Sequence, residues 1–268
     1  MPSDIDRKLL VALDIDGTLV TYDEVLSDAA RDAVAAVRAA GHHVVLASGR
    51  SLIAMTPIAA ELKIEDSWIV ASNGAVTARL DASADMGYTL ERVEMFDPQP
   101  VLRMLKEELP HARYAVEDVG VGFRMTELFP DGELNGEHRV VDFEDLWAGH
   151  VTRVVVRSPG ETSEEFHEIA ARLGFDDVTY AVGWSAWMDI APQGVTKASA
   201  LEEVRKELGV AAENTVAVGD GSNDIDMLRW ARRGVAMGHA SDTVQAAADE
   251  VTGSIEDDGV VEVLRSLL

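Results

Sequence analysis

The sequence has no cysteine. That excludes a disulfide framework, iron–sulfur ligation and thiolate zinc sites. Basic residues are scarce: 23 Lys and Arg face 48 Asp and Glu, a formal net charge of -25. With no broad basic surface to compensate phosphate repulsion, a general nucleic-acid binder is excluded. Long apolar runs are missing too. No stretch approaches the ~20 apolar residues that cross a bilayer, and the run Leu9 to Leu13 stops at Asp14, too short for a signal-peptide core. The expectation is a cytoplasmic protein with no membrane partner. The acidity also sets a condition. An anionic substrate would need a local cation or a few well-placed basic groups.

The rest of the composition is that of a folded protein. Its 268 residues are 47% hydrophobic and 26% charged, enough for one large domain or two smaller ones. Short apolar runs (Leu9 to Leu13, Val44 to Ala47, Trp68 to Ala71) alternate with helical segments, the first capped by Ser27 and stopped at Gly41. Strands that are apolar on both faces and separated by helices predict a parallel sheet with right-handed crossovers. Between about Val76 and Ile190 the pattern changes to strands adjacent in sequence, which predicts an inserted α+β layer. The first pattern returns at Lys197, with Thr215 to Val218 as a further buried strand. The fold expected is α/β, a doubly wound, Rossmann-like parallel sheet formed by residues 1–78 and 188–268, with an α+β cap inserted at 79–187.

Ligands of open α/β sheets bind beyond the carboxyl ends of the strands. Four polar clusters fall there: Asp14-Ile15-Asp16-Gly17-Thr18, Ser48-Gly49-Arg50, Lys197, and Gly219-Asp220-Gly221-Ser222-Asn223-Asp224. Taken singly, each has a plain structural reading as a turn, a helix-starting loop, a surface lysine or a helix cap. Together they bring four carboxylates, a hydroxyl and an ammonium to one edge of one sheet. Clustered carboxylates repel unless protonated or bound to a cation, and an all-oxygen set favours Mg2+.

These four clusters, with Leu19 completing the first, resemble the four motifs of the haloacid-dehalogenase-like superfamily. Asn73-Gly74-Ala75, the run Asp189 to Lys197, and Val251-Thr252-Gly253-Ser254 with Asp258-Gly259-Val260 narrow the resemblance to its Cof-type phosphatases. Ser48 stands where Thr is often found in the family and keeps the hydroxyl. The resemblance covers nearly the whole chain, except the detailed sequence of the middle of the insert.

The resemblance implies Asp14 as a nucleophile that forms an aspartyl-phosphate, and Asp16 as the general acid and base. It implies Mg2+ on the Asp14 carboxylate, the Asp16 backbone carbonyl and the Asp220 carboxylate. Ser48 and Lys197 would hold phosphoryl oxygens, Gly49 and Ile15 would offer backbone N–H groups, and Asn223 would bond phosphate or substrate. Asp224 would support Lys197 or a metal-bound water. The implied activity is phosphatase action on small phosphorylated metabolites, sugar phosphates foremost. A phosphomutase or phosphotransferase would use the same core. A phospho-accepting signalling module is disfavoured because it needs no Asp16.

In the insert, Arg124, beside Gly120 and Gly122, is the candidate for contact with the substrate. Arg153 and Arg157 are read as solvated, and Trp184 and Trp187 as packing of a hairpin. Nothing in the sequence sets the oligomeric state, and a monomer is compatible with it.

Overall fold

A computed structural model describes residues 8–158, 160, 162–173, 178–182 and 187–268. The chain opens with β1 (Leu10–Leu13), α1 (Asp28–Ala39), β2 (His43–Ala47), α2 (Leu52–Glu61), β3 (Trp68–Ala71), β4 (Val76–Leu80) and β5 (Tyr88–Val93). Next come α3 (Gln99–Glu108), β6 (Arg113–Asp118), β7 (Gly122–Met125), β8 (Glu137–Val140), β9 (Val154–Arg157), α4 (Ser163–Leu173), β10 (Val178–Val182) and β11 (Trp187–Pro192). It closes with α5 (Lys197–Glu207), β12 (Thr215–Gly219), α6 (Ile225–Trp230), β13 (Arg233–Ala236), α7 (Asp242–Gln245), β14 (Glu250–Val251) and α8 (Gly259–Arg265).

Eight strands form the main sheet in the order β14-β13-β12-β1-β2-β3-β4-β5. Pairing is parallel from β14 to β3, and β4 and β5 join antiparallel. Each central strand is buried on both faces. Val11 and Leu13 pack with residues of α1 and α8, whereas Leu10 and Ala12 pack with residues of α5 and α6. This is why β1 reads as a continuous apolar run rather than an alternating one. Asp14, Ser48 and Asp220 each follow the last residue of a neighbouring strand, so the parallel register brings them to one edge.

Local chemistry agrees with the elements. Ser27 caps α1 by accepting from the Ala30 N–H at 3.0 Å. Pro57 sits inside α2 and lacks the N–H that would bond the Ile53 carbonyl. The Thr56 hydroxyl donates to that carbonyl at 3.2 Å, so the helix continues past the proline.

The second sheet has six strands in the order β10-β11-β9-β6-β7-β8. Its pleat separates two environments. Tyr114, Val116, Val154, Val156, Met188 and Ile190 share a buried cluster with residues of α3 and α4. Ala115, Phe123, Met125 and Val155 pack on the opposite face, with Trp187 against them.

The boundaries expected at 78/79 and 187/188 both fall inside strands. Arg79 and Leu80 belong to β4, and β5 extends the main sheet to Val93. Trp187 opens β11, which pairs with β9 and β10 as far as Pro192. Strand β5 is the outermost of its sheet and mostly exposed, so it carries no apolar run to announce it. A strand signal alone also does not say which sheet it joins.

Candidate active site

At the C-terminal edge of the main sheet, Asp14 is buried and Lys197 fully so. Lys197 is the first residue of α5, whose preceding Thr196 accepts from the Ser199 N–H and closes a capping box. The helix start lies close against the turn after β3: a Cβ on Gly74 would stand 2.2 Å from the Thr196 carbonyl oxygen. Gly74 also has φ +103°, so glycine is required there on both counts.

From that position the Lys197 Nζ donates to Asp14 Oδ1 and Asp224 Oδ1, both at 2.7 Å. Asp224 Oδ2 accepts the backbone N–H groups of Asp220 at 3.0 Å and Gly221 at 2.9 Å. Asp224 therefore folds the Gly219–Asp224 loop and holds the ammonium at once. Asp220 receives the Tyr22 hydroxyl on Oδ2 at 2.8 Å and the Thr18 hydroxyl on Oδ1 at 3.3 Å. A Cβ on Gly17, which has φ +78°, would meet that carboxylate at 2.3 Å, so the turn after Asp16 must be glycine for Asp220 to sit there.

Asp16 turns away from this group. The Arg50 guanidinium grips it, with Nε at 2.9 Å from Oδ2 and Nη2 at 2.6 Å from Oδ1. Ser48 Oγ accepts the Arg50 N–H at 3.1 Å, which leaves its own proton free to donate. Asn223 donates to Asn73 Oδ1 at 2.9 Å, and Gly49 lies against both amides. Ile15 is fully buried, and its carbonyl accepts from Leu19 and Val20.

Carboxylate oxygens of Asp14, Asp220 and Asp224 lie within 4.8 Å of one another, all three residues buried. One ammonium faces three carboxylates. Burial pushes the Asp14 carboxyl well above its ordinary range, and Asp224 adds to this more than Lys197 subtracts. Burial and then Asp224 raise Asp220 as well. Burial works against the charge on Lys197, yet Asp14 and Asp224 outweigh it and hold the ammonium above its ordinary range. A hard, oxygen-seeking divalent cation fits this set, because it removes the repulsion that raises the two carboxyls.

A cavity of about 650 Å³ opens over Asp14, Asp16, Ser48, Gly49, Asp220 and Asn223. Its far wall comes from the second sheet: Phe123, Glu133, Leu134, Asn135, Arg153, Trp187 and Asp189. The two sheets also meet through a buried carboxylate. Glu117 Oε2 accepts the hydroxyls of Ser72 at 2.6 Å and Thr152 at 3.2 Å. Burial raises the Glu117 carboxyl, opposed by Arg153.

Arg124 does not line this cavity. It follows Phe123 on β7, so the pleat turns it to the helix-covered side, where Nε bonds Asp118 at 3.1 Å and Nη1 bonds the Asp145 carbonyl at 2.5 Å. Arg153, expected in solvent, is 5% exposed and does line the cavity. Trp187 lines it too and stacks edge-on against Phe129; Trp184 lies outside the described residues.

The sequence matches the family model of haloacid dehalogenase-like hydrolases over residues 11–264. The chain belongs to that family. Among relatives of this HAD protein, the 5-amino-6-(5-phospho-D-ribitylamino)uracil phosphatase YcsE of Bacillus subtilis is 27% identical, over 98% of this chain and 96% of that one. The pyridoxal phosphate phosphatase YbhA of Escherichia coli is 29% identical, over 97% of this chain and 98% of that one. The solved structure of the HAD subclass IIB sugar phosphatase BT4131 superposes with a TM-score of 0.81 at 23% identity, covering 97% of this chain and 100% of that one. At that identity the likeness carries the fold. The protein is thus a HAD-type phosphatase. Membership implies a divalent metal, and among the described residues the carboxylates clustered closely enough to hold one are those of Asp14, Asp220 and Asp224. No helix among the described residues is long and apolar enough to cross a membrane.

Proposed function

We propose that this HAD protein is a Mg2+-dependent sugar-phosphate phosphatase working through an aspartyl-phosphate on Asp14. The observation that carries the reading is the buried Asp14–Lys197–Asp224 bridge, whose Asp14 lines a cavity large enough for a hexose phosphate. Asp14, the Asp16 backbone carbonyl and Asp220 would hold Mg2+, which supplies the positive charge that lets a carboxylate approach a phosphate. The Asp14 carboxylate attacks phosphorus and the bond to the leaving oxygen breaks. Asp16 gives that oxygen its proton, then takes one from the water that attacks the same phosphorus and frees Asp14. Arg50 holds Asp16 beside the cavity between these steps. Lys197, the Ser48 hydroxyl, the Asn223 amide and the backbone N–H groups of Ile15 and Gly49 hold the phosphoryl oxygens as their charge redistributes.

Metal removal tests this. Free-phosphate release from a hexose phosphate should vanish in EDTA and return with Mg2+. Mg2+ alone should raise the melting temperature by a few degrees, as any ligand of the native state does. That gain should be larger at pH 7.5 than at pH 5, because the raised Asp14 and Asp220 carboxyls retain protons at lower pH and the cation must displace them. Full turnover by verified metal-free protein would contradict the reading. Isomerised sugar in place of free phosphate would identify a mutase on the same core.

A further inference from the structure

Among the described residues, the second sheet and its loops contribute one basic group to the cavity, Arg153. It immediately precedes β9, on the face opposite Val154, and is 5% exposed. Its Nε donates to Asp189 Oδ1 at 2.6 Å, and its guanidinium carbon lies 6.0 Å from the centroid of the Phe123 ring. Among the described residues, this is the one hydrogen bond of its side chain. Neither Nη atom is among the buried polar atoms without a partner. They remain the part of a buried guanidinium that meets the cavity, held in place by Asp189 on β11 and Phe123 on β7.

Charge decides what such a group can bind. Around Arg153 stand Asp189 and the buried Glu117, and farther along the wall Glu133 pairs with Arg157 at 3.2 Å. Three carboxylates therefore face two guanidinium groups on this side, with no positive charge left over for a second anion. What remains is directional hydrogen bonding: N–H donors on Arg153 and the second carboxylate oxygen of Asp189, next to the apolar faces of Phe123, Leu134 and Trp187. A donor fork beside a carboxylate acceptor and flat apolar walls suits the hydroxyls and C–H faces of a neutral polyol. An additional phosphate or carboxylate would meet Asp189 and Glu133 without a free cation, which rejects it.

We infer that Arg153, oriented by Asp189, is the specificity-determining residue for the leaving group, and that it selects phosphate monoesters of uncharged polyhydroxylated alcohols over esters whose leaving group carries a second anion. This rests on the phosphatase reading above and extends it to the leaving-group end of the same cavity.

The test is a substrate panel on the full-length protein with Mg2+: a hexose 6-phosphate, the corresponding hexose bisphosphate, a phosphorylated sugar acid and p-nitrophenyl phosphate. In the wild type, kcat/KM should fall about tenfold or more when the leaving group gains an anion, the size of one lost charge-assisted hydrogen bond or one like-charge contact. Arg153→Lys keeps the charge and loses the fork. Its ratio of kcat/KM for hexose phosphate over p-nitrophenyl phosphate should drop about tenfold, chiefly through KM. A folded Arg153→Lys protein with that ratio unchanged overturns the inference, because a purely structural role lowers both substrates together. Asp189→Asn supplies an independent reading should Arg153→Lys not fold. With its partner charge gone, Arg153 should accept an anion, and bisphosphate over monophosphate preference should rise about tenfold. An unchanged preference overturns the inference as well. A wild type that hydrolyses no ester of the panel, p-nitrophenyl phosphate included, overturns the phosphatase reading instead.

Discussion

Asp14→Asn abolishes turnover in this account, by a factor on the order of 10⁴ or more, because it removes the attacking carboxylate itself rather than a group that assists it. The same substitution should not lower stability. Asp14 is buried 2.7 Å from Lys197, yet burial and the charges of Asp224 and Asp220 push its carboxyl upward, so at neutral pH the ionised form costs the metal-free fold free energy. An amide of the same shape escapes that cost and still accepts from Lys197. Metal-free Asp14→Asn protein should melt no lower than wild type at pH 7.5, and any advantage should shrink as pH falls and the wild-type carboxyl takes up its proton. A large drop in melting temperature would show that Asp14 is a structural ion-pair partner instead.

Lys197→Met makes the opposite prediction. Lys197 has no exposed surface, and its ammonium is the one cation hydrogen-bonded to Asp14 and Asp224 among the described residues. Removing it leaves two buried carboxylates facing each other, and such broken buried pairs typically cost about 3–5 kcal/mol. The Gly219–Asp224 loop should loosen with it, since Asp224 also holds the Asp220 and Gly221 amides. Denaturant unfolding should show the loss in metal-free protein and a partial recovery with Mg2+. Turnover should fall by several orders of magnitude even where the protein is folded. A melting curve like that of the wild type would mean that Lys197 is not the buried counter-ion described here.

The gathering of Asp14, Ser48 and Asp220 at one sheet edge is legible in the sequence because backbone geometry delivers it. Asp14, Ser48 and Asp220 each follow a short, two-face-buried strand, and a parallel register leaves such residues no other place to go. Lys197 is legible just ahead of a helix; the family resemblance puts Asp224 against Lys197 or a metal-bound water, and its carboxylate accepts from Lys197. What sequence could not show was where long side chains finish. The sequence places Arg50 only in a loop, yet its guanidinium crosses 34 positions of sequence to seize Asp16. Tyr22 reaches Asp220 across 198 positions, and no local pattern encodes that contact. In the insert the error was one of facing. Arg124 and Arg153 look equivalent as arginines in β-rich segments, and only the pleat, read from Phe123 beside one and Val154 beside the other, decides which meets the cavity. The course of the chain past residue 78 has the same origin: β4 and β5 form a hairpin whose sheet is chosen by pairing with β3, a long-range fact.

The most direct measurement is to catch the phosphoryl group on the protein. Asp16→Asn keeps the nucleophile but removes both the acid that protonates the leaving oxygen and the base that activates water; with p-nitrophenyl phosphate, whose leaving group departs without a proton, the phosphorylated protein should still form and then persist. Mixing this variant with p-nitrophenyl phosphate and Mg2+, quenching in acid and mapping peptides by mass spectrometry should locate one phosphoryl group, on Asp14, that disappears when Asp14→Asn is added to the same chain. Phosphate release by wild type with no phosphoprotein trapped in the variant, or a phosphoryl group found on any other residue, would contradict the account.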